Sequence, residues 1–451
     1  MTNNSSKFDI IIVGAGVLGV VTAFWISEIY KCKIAIIDKE TKVAQHATFR
    51  NTGVIHRPFY LNPEKKRIFA KSAQKSYNMW KKLAATYNLP WNQVETLEVA
   101  LNENDLPILE QYLEWGIQNQ IPEEELVLLD GATVKTLEPQ VKCAGAIRCK
   151  TDTSVNFKWF TKSIFSLAAK NGVILLRGKE VKKITEKNTQ IELEIKDTEG
   201  TLHLRCDLLI NNAGGGAVDI AHSLNLAKKY TDLHFRGNYW KVEEPFASTI
   251  KRNIYSIPTD TTYPFLDPHF IVKFDRTREI GPSAALVFSP NAYTGLSEST
   301  TQLVKKIFER PLTPKIKLTT NTKFQSIVWR EWKITISKKE MCQKVNRFIP
   351  NLKPTMLKTQ GVAGVRSQLI DENGFLPEPI IIENPHSIHL LNYNSPGATG
   401  TPAFSAHLVS QIQEKGYFDN LTKQKTQRHN RLWNFEKAKD YGKDKIKFQQ
   451  K

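Results

Sequence analysis

The chain has 451 residues and a formal net charge of +18, with 41% hydrophobic and 24% charged residues. These proportions are close to globular averages and exclude a mainly disordered, collagen-like or fibrous chain. The length is enough for two or more domains with a large buried core. The 5 cysteines include no C-x-x-C pair, which argues against a disulfide scaffold, a zinc ribbon and a dithiol redox centre and favours a reducing cytoplasm.

The most apolar segment runs from Ile10 to Ile26 and spans only 17 residues. It contains three glycines, follows no basic region and precedes no small-residue cleavage site, so it does not resemble a signal peptide. No other segment reaches the length of about 18 apolar residues that a membrane span requires. The sequence therefore predicts a cytoplasmic protein without membrane-spanning helices.

A dinucleotide-binding motif opens the chain. Phe8–Val13 has the pattern of a buried strand, and Gly14, Gly16 and Gly19 then fit G-x-G-x-x-G ahead of an apolar helix. A second strand ends in Asp38, 19 residues after Gly19. In such a unit the glycines allow a tight turn and close approach of a pyrophosphate, and the carboxylate accepts hydrogen bonds from a ribose. The acidic residue argues against the 2′-phosphate of NADP.

Two later segments repeat the order of strand, glycine-containing turn and helix. The first is CDLLINNAGGGAVDI, from Cys206 to Ile220, and the second is HLLNYNSPGATGTPAFSAHLVSQI, from His389 to Ile412. Three such units, separated by long insertions, predict one nucleotide-binding domain assembled from discontinuous segments.

Several further motifs carry a resemblance to a known family. They are RNTGVIH (50–56), FRGNYW (235–240), IYSIPTDTTYPFLDPHF (254–270), IGPSAAL (280–286), GVRSQL (364–369) and SPGAT (395–399). With them the chain resembles the glycine oxidase/D-amino-acid oxidase (DAO) class of FAD enzymes. Within that class it is most similar to the L-2-hydroxyglutarate dehydrogenases and oxidases, with some features of malate:quinone oxidoreductases.

The resemblance implies an α/β fold. A Rossmann-like FAD-binding domain of the glutathione-reductase type is expected at residues 1–63, 151–225 and 355–415, interleaved with an α+β substrate domain at 64–150 and 226–354. The isoalloxazine ring is expected between the RNTG loop and the SPGATG turn, whose helix N-terminus favours negative charge. The implied FAD-binding residues are Gly14, Gly16, Gly19, Asp38, Asn51, Thr52, Gly53, Val181, Ala213, Gly214, Gly397, Ala398 and Thr399.

Oxidation of a 2-hydroxy acid needs a carboxylate clamp and a base beside the flavin. Arg366 lies where the wider class keeps a carboxylate-binding arginine, and a guanidinium suits that role because it can bind bidentately. His56 and His269 are both candidates for the base that accepts the hydroxyl proton. Arg236 is a candidate for binding a distal carboxylate, with a structural role as the alternative. Arg57 departs from the family pattern and could add an anion contact or close the pocket.

The sequence thus predicts FAD-dependent oxidation of an L-2-hydroxy acid, with L-2-hydroxyglutarate first. There are two alternatives: oxidation of L-malate, and oxidation of an amino acid by an oxidase of the same fold. The electron acceptor stays open between oxygen, a quinone and a carrier flavoprotein. No cluster of metal ligands is visible, and the absence of an RNA-binding motif argues against a nucleic-acid partner.

The segment 416–451 is a basic tail. Residues 420–451 contain 10 Lys/Arg and 3 Asp/Glu, mixed with Leu432, Trp433, Phe435, Ile446 and Phe448. One hypothesis is an interfacial helix on an anionic membrane. The alternative, which we favour from the sequence, is a solvated and partly frayed terminus.

Overall fold

The computed structural model describes residues 6–187, 189–198, 200–258, 263 and 267–450. The middle of the predicted motif at 254–270 lies outside these ranges. Within them, the strands in chain order are β1 (Ser6–Val13), β2 (Tyr30–Lys31), β3 (Ile34–Asp38), β4 (Val54–Ile55), β5 (Asn92–Gln93), β6 (Thr96–Ala100), β7 (Leu126–Asp130), β8 (Gly145–Cys149), β9 (Thr153–Ser154), β10 (Ile174–Arg177), β11 (Glu180–Lys187), β12 (Gln190–Lys196), β13 (Thr201–Asn211), β14 (Thr231–Gly237), β15 (Trp240–Val242), β16 (Asn253–Ser256), β17 (His269–Val272), β18 (Arg278–Gly281), β19 (Ala285–Val287), β20 (Leu357–Gln360), β21 (Gly364–Asp371), β22 (Gly374–Phe375), β23 (Ile380–Asn384), β24 (Ser387–Leu391), β25 (Thr422–Lys423) and β26 (Phe448–Gln450). The α-helices are α1 (Val17–Ile29), α2 (Arg67–Tyr87), α3 (Leu106–Gln118), α4 (Gly131–Leu137), α5 (Phe157–Lys170), α6 (Ala217–Ser223), α7 (Thr300–Phe308), α8 (Thr313–Thr319), α9 (Thr322–Ile336), α10 (Lys338–Val345), α11 (Gly397–Glu414) and α12 (Phe435–Lys439).

The largest sheet in the described residues has nine strands, with the order β10-β3-β1-β13-β24-β23-β26 and with β12 and β11 added beside β13. Its first five strands run parallel. Strand β1 is apolar at successive positions because both faces are covered: Ile10 and Ile12 pack on one side, and Ile11 and Val13 on the other. This arrangement confirms the predicted α/β fold with a discontinuous nucleotide-binding sheet.

The apolar run from Ile10 to Ile26 is the centre of this core. It supplies half of β1 and most of α1, and α1 is buried along nearly its whole length between the sheet, α5 and α11. The indole Nε1 of Trp25 donates a hydrogen bond to the carbonyl oxygen of Pro402 on α11 at 2.8 Å. Among the described residues, no helix is long and apolar enough to cross a membrane.

A second layer consists of an eight-stranded sheet, β20-β15-β18-β17-β16-β6-β8-β7, and a four-stranded sheet, β19-β14-β21-β22, counted over the described ranges. Helix α10 packs on one side of the eight-stranded sheet in a separate hydrophobic cluster. Residues 226–354 contain strands β14–β19 and helices α7–α10, in agreement with the predicted α+β character. Strand β21 lies in the C-terminal segment 355–415 but pairs with β14 rather than with the nine-stranded sheet.

Helix α2 occupies a different position from the one expected. The sequence prediction assigned residues 64–150 to the substrate domain, but Tyr77, Trp80, Leu83 and Ala84 of α2 lie in the same core cluster as α1, α5 and α11. The indole of Trp80 donates a hydrogen bond to the carbonyl oxygen of Thr399 at 2.8 Å. The helix is amphipathic, and its apolar face is covered by the nucleotide-binding layer.

The basic tail is neither frayed nor available for membrane insertion through its apolar residues. Leu432, Trp433, Phe435 and Ile446 are all less than 9% exposed and belong to the core cluster around α1. Strand β26 pairs in parallel with β23 and extends the nine-stranded sheet. Both tail hypotheses were wrong about these side chains, because the apolar surface that predicted a membrane contact is used in intramolecular packing.

Candidate functional site

The glycine motif forms a turn that other residues cannot adopt. Gly14 has φ +105°, and a Cβ there would lie 2.5 Å from the carbonyl oxygen of Asn212. A Cβ on Gly19 would lie 1.9 Å from the carbonyl oxygen of Gly14, so this glycine lets α1 pack against the turn. Gly16 is the N-cap of α1, which has no side-chain cap and no acidic residue in its first turn. These features fit a site for an anionic pyrophosphate.

Asp38 lies at the end of β3 and faces this turn. Its Oδ2 accepts a hydrogen bond from the amide of Ala15 at 2.6 Å, and its Oδ1 accepts one from the amide of Glu40 at 2.8 Å. The carbonyl oxygen of Asp38 accepts from the amide of Lys179, immediately before β11, and Val181 therefore lies near the same end of the sheet. The position suits a carboxylate that binds ribose hydroxyls.

The loop that contains Asn51, Thr52 and Gly53 is held rigidly. The amide of Gly53 donates to Asn51 Oδ1 at 2.8 Å, and Gly53 has φ +75°. Lys273 Nζ donates to the carbonyl oxygens of Asn51 and Thr52 at 3.1 and 3.2 Å. Sequence reasoning did not find Lys273, which fixes the loop from a distant strand connection.

The start of α11 lies next to this loop. Thr399 Oγ1 accepts a hydrogen bond from the amide of His56 at 3.3 Å and contacts the carbonyl oxygen of Val54 at 3.4 Å. Helix α11 has no side-chain N-cap and no acidic residue in its first turn, which contains Gly397 and Ala398. The uncapped N-termini of α1 and α11 and the ordered loop between them fit FAD, which carries negative charge at its pyrophosphate and at its reduced pyrimidine ring.

The Ala213–Gly214 turn follows β13 beside the glycine motif. The amide of Ala213 donates to Asn211 Oδ1 at 3.2 Å, and Gly214 has φ +58° with no atom within 4 Å of an added Cβ. Since Asn212 is the residue that a Cβ at Gly14 would meet, the two turns lie side by side. The parallel pairing of β1 and β13 places them there.

His56 is paired with a fully buried carboxylate. Asp152 Oδ2 lies 2.9 Å from His56 Nδ1 and also accepts from Thr96 Oγ1 at 2.7 Å. Asp152 Oδ1 accepts from the amide of Arg57 at 2.7 Å. A carboxylate oxygen can only accept, so His56 Nδ1 donates the hydrogen, and in the neutral imidazole Nε2 carries the lone pair.

Sequence reasoning missed Asp152, which lies 96 positions from His56. No local motif marks it. It reaches His56 because β4, which ends at Ile55, pairs with β9, which begins at Thr153.

His269 is the first residue of β17, in the eight-stranded sheet. Its ring stacks on Tyr255 with centroids 4.1 Å apart, and its Nδ1 lies 3.1 Å from the carbonyl oxygen of Asp267. Because that carbonyl can only accept, His269 Nε2 also carries a lone pair, and it has no hydrogen-bond partner in the described part of the chain. Burial lowers the pKa of His269 to about 3, which keeps the ring neutral.

Arg366 lies on β21, whose pairing with β14 places it opposite Phe235. Burial lowers the pKa of its guanidinium, and the hydroxyls of Tyr239 and Tyr60 are close enough to act on it electrostatically. Burial also raises the pKa of Tyr60 and of Tyr239, so both phenols stay protonated as hydrogen-bond donors. Tyr60, Tyr239 and Tyr255 are site residues that sequence reasoning did not name.

The other two arginine candidates are engaged elsewhere. Arg236 is 5% exposed and donates to Asn238 Oδ1 at 3.0 Å and to the backbone carbonyls of Ala292 and Gly295. These bonds of Nε and Nη1 favour the structural alternative for Arg236, and its catalytic or distal-carboxylate role stays a prediction. Arg57 is 3% exposed and pairs with Glu125 at 3.0 Å, so its charge is already balanced within the protein.

The described residues contain no group of three His, Cys, Asp or Glu side chains arranged to hold a metal ion. The chemistry available is therefore that of a cluster of buried side chains, with a guanidinium, two histidines and several phenols, beside a candidate nucleotide site. Such a pocket can bind a small anion and remove a proton from it.

The comparisons with known proteins agree with this reading. A family model described as FAD dependent oxidoreductase (DAO) matches residues 9–412. The mitochondrial L-2-hydroxyglutarate dehydrogenase of Homo sapiens is 28% identical over 430 residues, which cover 91% of this chain and 90% of that protein. The L-2-hydroxyglutarate dehydrogenase of Indibacter alkaliphilus is 28% identical over 407 residues, 87% of this chain and 96% of that protein.

Solved structures share the fold. The L-alpha-glycerophosphate oxidase of Mycoplasma pneumoniae with FAD bound has a TM-score of 0.72 at 22% identity, covering 94% of this chain and 97% of that chain. The glycine oxidase of Geobacillus kaustophilus has a TM-score of 0.64 at 15% identity, covering 90% and 95%. With most of its length matched by the family model, this chain belongs to the DAO family of FAD-dependent oxidoreductases, and its cofactor is FAD.

Proposed function

We propose that this enzyme oxidises an L-2-hydroxy acid to the 2-oxo acid, with L-2-hydroxyglutarate the first substrate to test. The observation that carries the proposal is the buried His56–Asp152 pair beside the start of α11 and the RNTG loop. The names of the two L-2-hydroxyglutarate dehydrogenases that match over most of their length support the substrate class.

In the proposed reaction Arg366 binds the C1 carboxylate of the substrate. A charge-assisted hydrogen bond of this kind contributes about 1.5–3 kcal/mol. The buried phenols of Tyr60 and Tyr239 lie near the guanidinium and exclude water from the pair. When bound, FAD supplies the acceptor for the hydride of the substrate's C–H bond.

His56 is the better of the two candidates for the base. Its Nε2 can take the hydroxyl proton, and the carboxylate of Asp152 then stabilises the imidazolium through the hydrogen bond at Nδ1. His269 has no carboxylate partner at Nδ1 and resists protonation, as its pKa of about 3 indicates. We therefore assign His269 Nε2 the role of accepting a hydrogen bond that orients the substrate.

The test is anaerobic bleaching of the oxidised flavin absorbance by L-2-hydroxyglutarate, D-2-hydroxyglutarate, L-malate and a panel of amino acids. We expect rapid bleaching by L-2-hydroxyglutarate and not by its D enantiomer. Bleaching by L-malate alone would change the substrate but keep the reaction. Bleaching only by amino acids, or by none of these compounds in flavin-loaded protein, would contradict the proposal.

A further inference from the structure

One buried carboxyl group in the pocket has no role in the reaction described above. Glu98, on β6, is only 8% exposed and makes no hydrogen bond or ion pair with any residue that the structure describes. A buried carboxyl without a partner is unfavourable by several kcal/mol if it is ionised. A protein retains such a group at little cost if it stays neutral or if a ligand supplies its partner.

The strand register places Glu98 on the face that carries the proposed catalytic pair. Thr96 lies two positions earlier on β6 and donates to Asp152, which holds His56. Residues i and i+2 of a strand point to the same face, about 7 Å apart. Tyr255 is the direct neighbour of Glu98 on the parallel strand β16, and its ring stacks on His269.

The groups around Glu98 are mostly neutral hydrogen-bond donors. Burial is the main cause that raises the pKa of Glu98 to about 8, and the charge of Asp152 adds to it. Burial likewise raises the pKa of each phenol that senses Glu98, and Arg366 is close enough to Tyr60 to act against this rise. The titratable groups facing Glu98 from the surrounding elements are Asp152 before β9, Tyr60 after β4, Tyr112 on α3 and Tyr255 on β16.

The pocket therefore has more donors than acceptors. Tyr255 Oη is buried without a partner among the described residues. The hydroxyls of Tyr60 and Tyr112 also make no hydrogen bond within the described part of the chain. A second acceptor-rich group on the ligand would satisfy these donors, and with Arg366 as the cation near Tyr60 a singly charged carboxylate suits the site better than a phosphate dianion.

Building on the proposed function, we propose that Glu98 determines specificity by binding the distal carboxylate of a dicarboxylic 2-hydroxy acid. The protonated carboxyl of Glu98 donates a hydrogen bond to that carboxylate, with the phenols of Tyr60 and Tyr255 beside it, while Arg366 holds the C1 carboxylate. An O–H donor to a carboxylate forms a short, charge-assisted hydrogen bond. Ionisation of Glu98 removes the donor and places two negative charges against each other.

The first experiment measures KM and kcat between pH 6.5 and 9.5 for L-2-hydroxyglutarate and for L-2-hydroxypentanoate, which has a methyl group in place of the distal carboxylate. One pH unit above the pKa of about 8 leaves roughly a tenth of Glu98 protonated. We expect KM for L-2-hydroxyglutarate to rise about tenfold by pH 9, with kcat nearly constant and KM for L-2-hydroxypentanoate unchanged. Equal pH dependence for the two compounds would overturn the inference.

The second experiment uses Glu98→Gln, which keeps a donor but cannot ionise. We expect its KM for L-2-hydroxyglutarate to be independent of pH across the same range. The matched control is Glu110→Gln, an exposed residue on α3, which should behave as the wild type. A Glu98→Gln variant that retains the wild-type pH dependence would exclude Glu98 as the titrating group.

A binding measurement separates this inference from the proposed function. Glutarate and pentanoate lack the reacting hydroxyl, and their binding can be followed by perturbation of the flavin spectrum in the holoenzyme. We expect glutarate to bind more weakly at pH 9 than at pH 7. If this pH dependence disappears in Glu98→Gln and is not seen with pentanoate, the Glu98 site is supported even if no hydroxy acid bleaches the flavin. Bleaching by L-2-hydroxyglutarate together with pH-independent glutarate binding would support the proposed oxidation and contradict the proposed role of Glu98.

Discussion

At the scale of single residues, the site depends on pairings that the linear sequence does not contain. The glycines at 14 and 19 could be assigned from spacing alone, because their role is local and the backbone admits no Cβ. His56 and Arg366 could be assigned by resemblance. Asp152 and Glu98 could not, since the groups around each of them come from other strands, and Asp and Glu residues usually face solvent.

Replacing Asp152 by Asn tests its role as a positioning residue. The amide keeps the size of the side chain but loses the charge that stabilises the protonated His56. We expect the rate of flavin bleaching to fall by about 10² or more, within the range that general base catalysis contributes. Glutarate binding should change far less, which distinguishes lost proton transfer from a distorted pocket.

The control for this variant is Asp207→Asn, an exposed residue within β13 that is paired with Lys7. It should bleach as the wild type does. A wild-type bleaching rate in Asp152→Asn would contradict this role, because proton removal would then not depend on the carboxylate of Asp152.

At the scale of elements, the sequence periodicity predicts where a helix or strand lies, but it does not predict which other element that helix or strand packs against. The apolar residues of 67–87 recur at helical spacing, and α2 spans Arg67–Tyr87. Its amphipathic face is equally compatible with either domain, and packing against α11 decides between them. The tail posed the same problem, because an apolar and basic segment looks alike whether its apolar side chains meet a membrane or a core.

Trp433 provides the test for the tail. It is 2% exposed, packs on Phe24 and Trp25, and its Nε1 donates to the carbonyl oxygen of Met79 at 2.8 Å. We expect Trp433→Ala to lower the free energy of unfolding by about 3–5 kcal/mol in urea titrations. The matched control is Trp329→Ala, where the side chain is 66% exposed and the change should stay within about 0.5 kcal/mol.

Vesicles containing anionic lipid provide a second readout for the same pair of variants. Since Trp433 is buried, its replacement should not reduce co-sedimentation of folded protein. A specific loss of vesicle binding in Trp433→Ala, at a temperature where it is folded, would restore the membrane hypothesis for the tail.

At the scale of the whole molecule, both layers contain buried histidines that stay neutral. Burial lowers the pKa of His234 and His407 to about 4, and of His269 and His389 to about 3. The ordinary value is 6.5, so between pH 6.5 and 4 the unfolded chain binds protons that the folded chain does not. Linkage then requires these groups to reduce stability as the pH falls through that window.

The measurement is the urea midpoint at pH 7, 6 and 5. We expect His389→Gln to reduce the slope of the midpoint against pH, because it removes one of these proton-binding differences. The exposed His203, replaced in the same way, should leave the slope as it is. Parallel pH profiles for the wild type and His389→Gln would mean that His389 is protonated in the folded state.

The position of β26 also has a consequence for synthesis of the protein. Strand β26 forms one edge of the nine-stranded sheet, whereas β1 lies inside the sheet and is synthesised far earlier. Trp433 and the other tail residues that cover α1 also follow it at a long distance in the chain. The core around α1 is therefore complete only after these residues have been synthesised, and a nascent chain that stops before Trp433 leaves part of its aromatic surface uncovered.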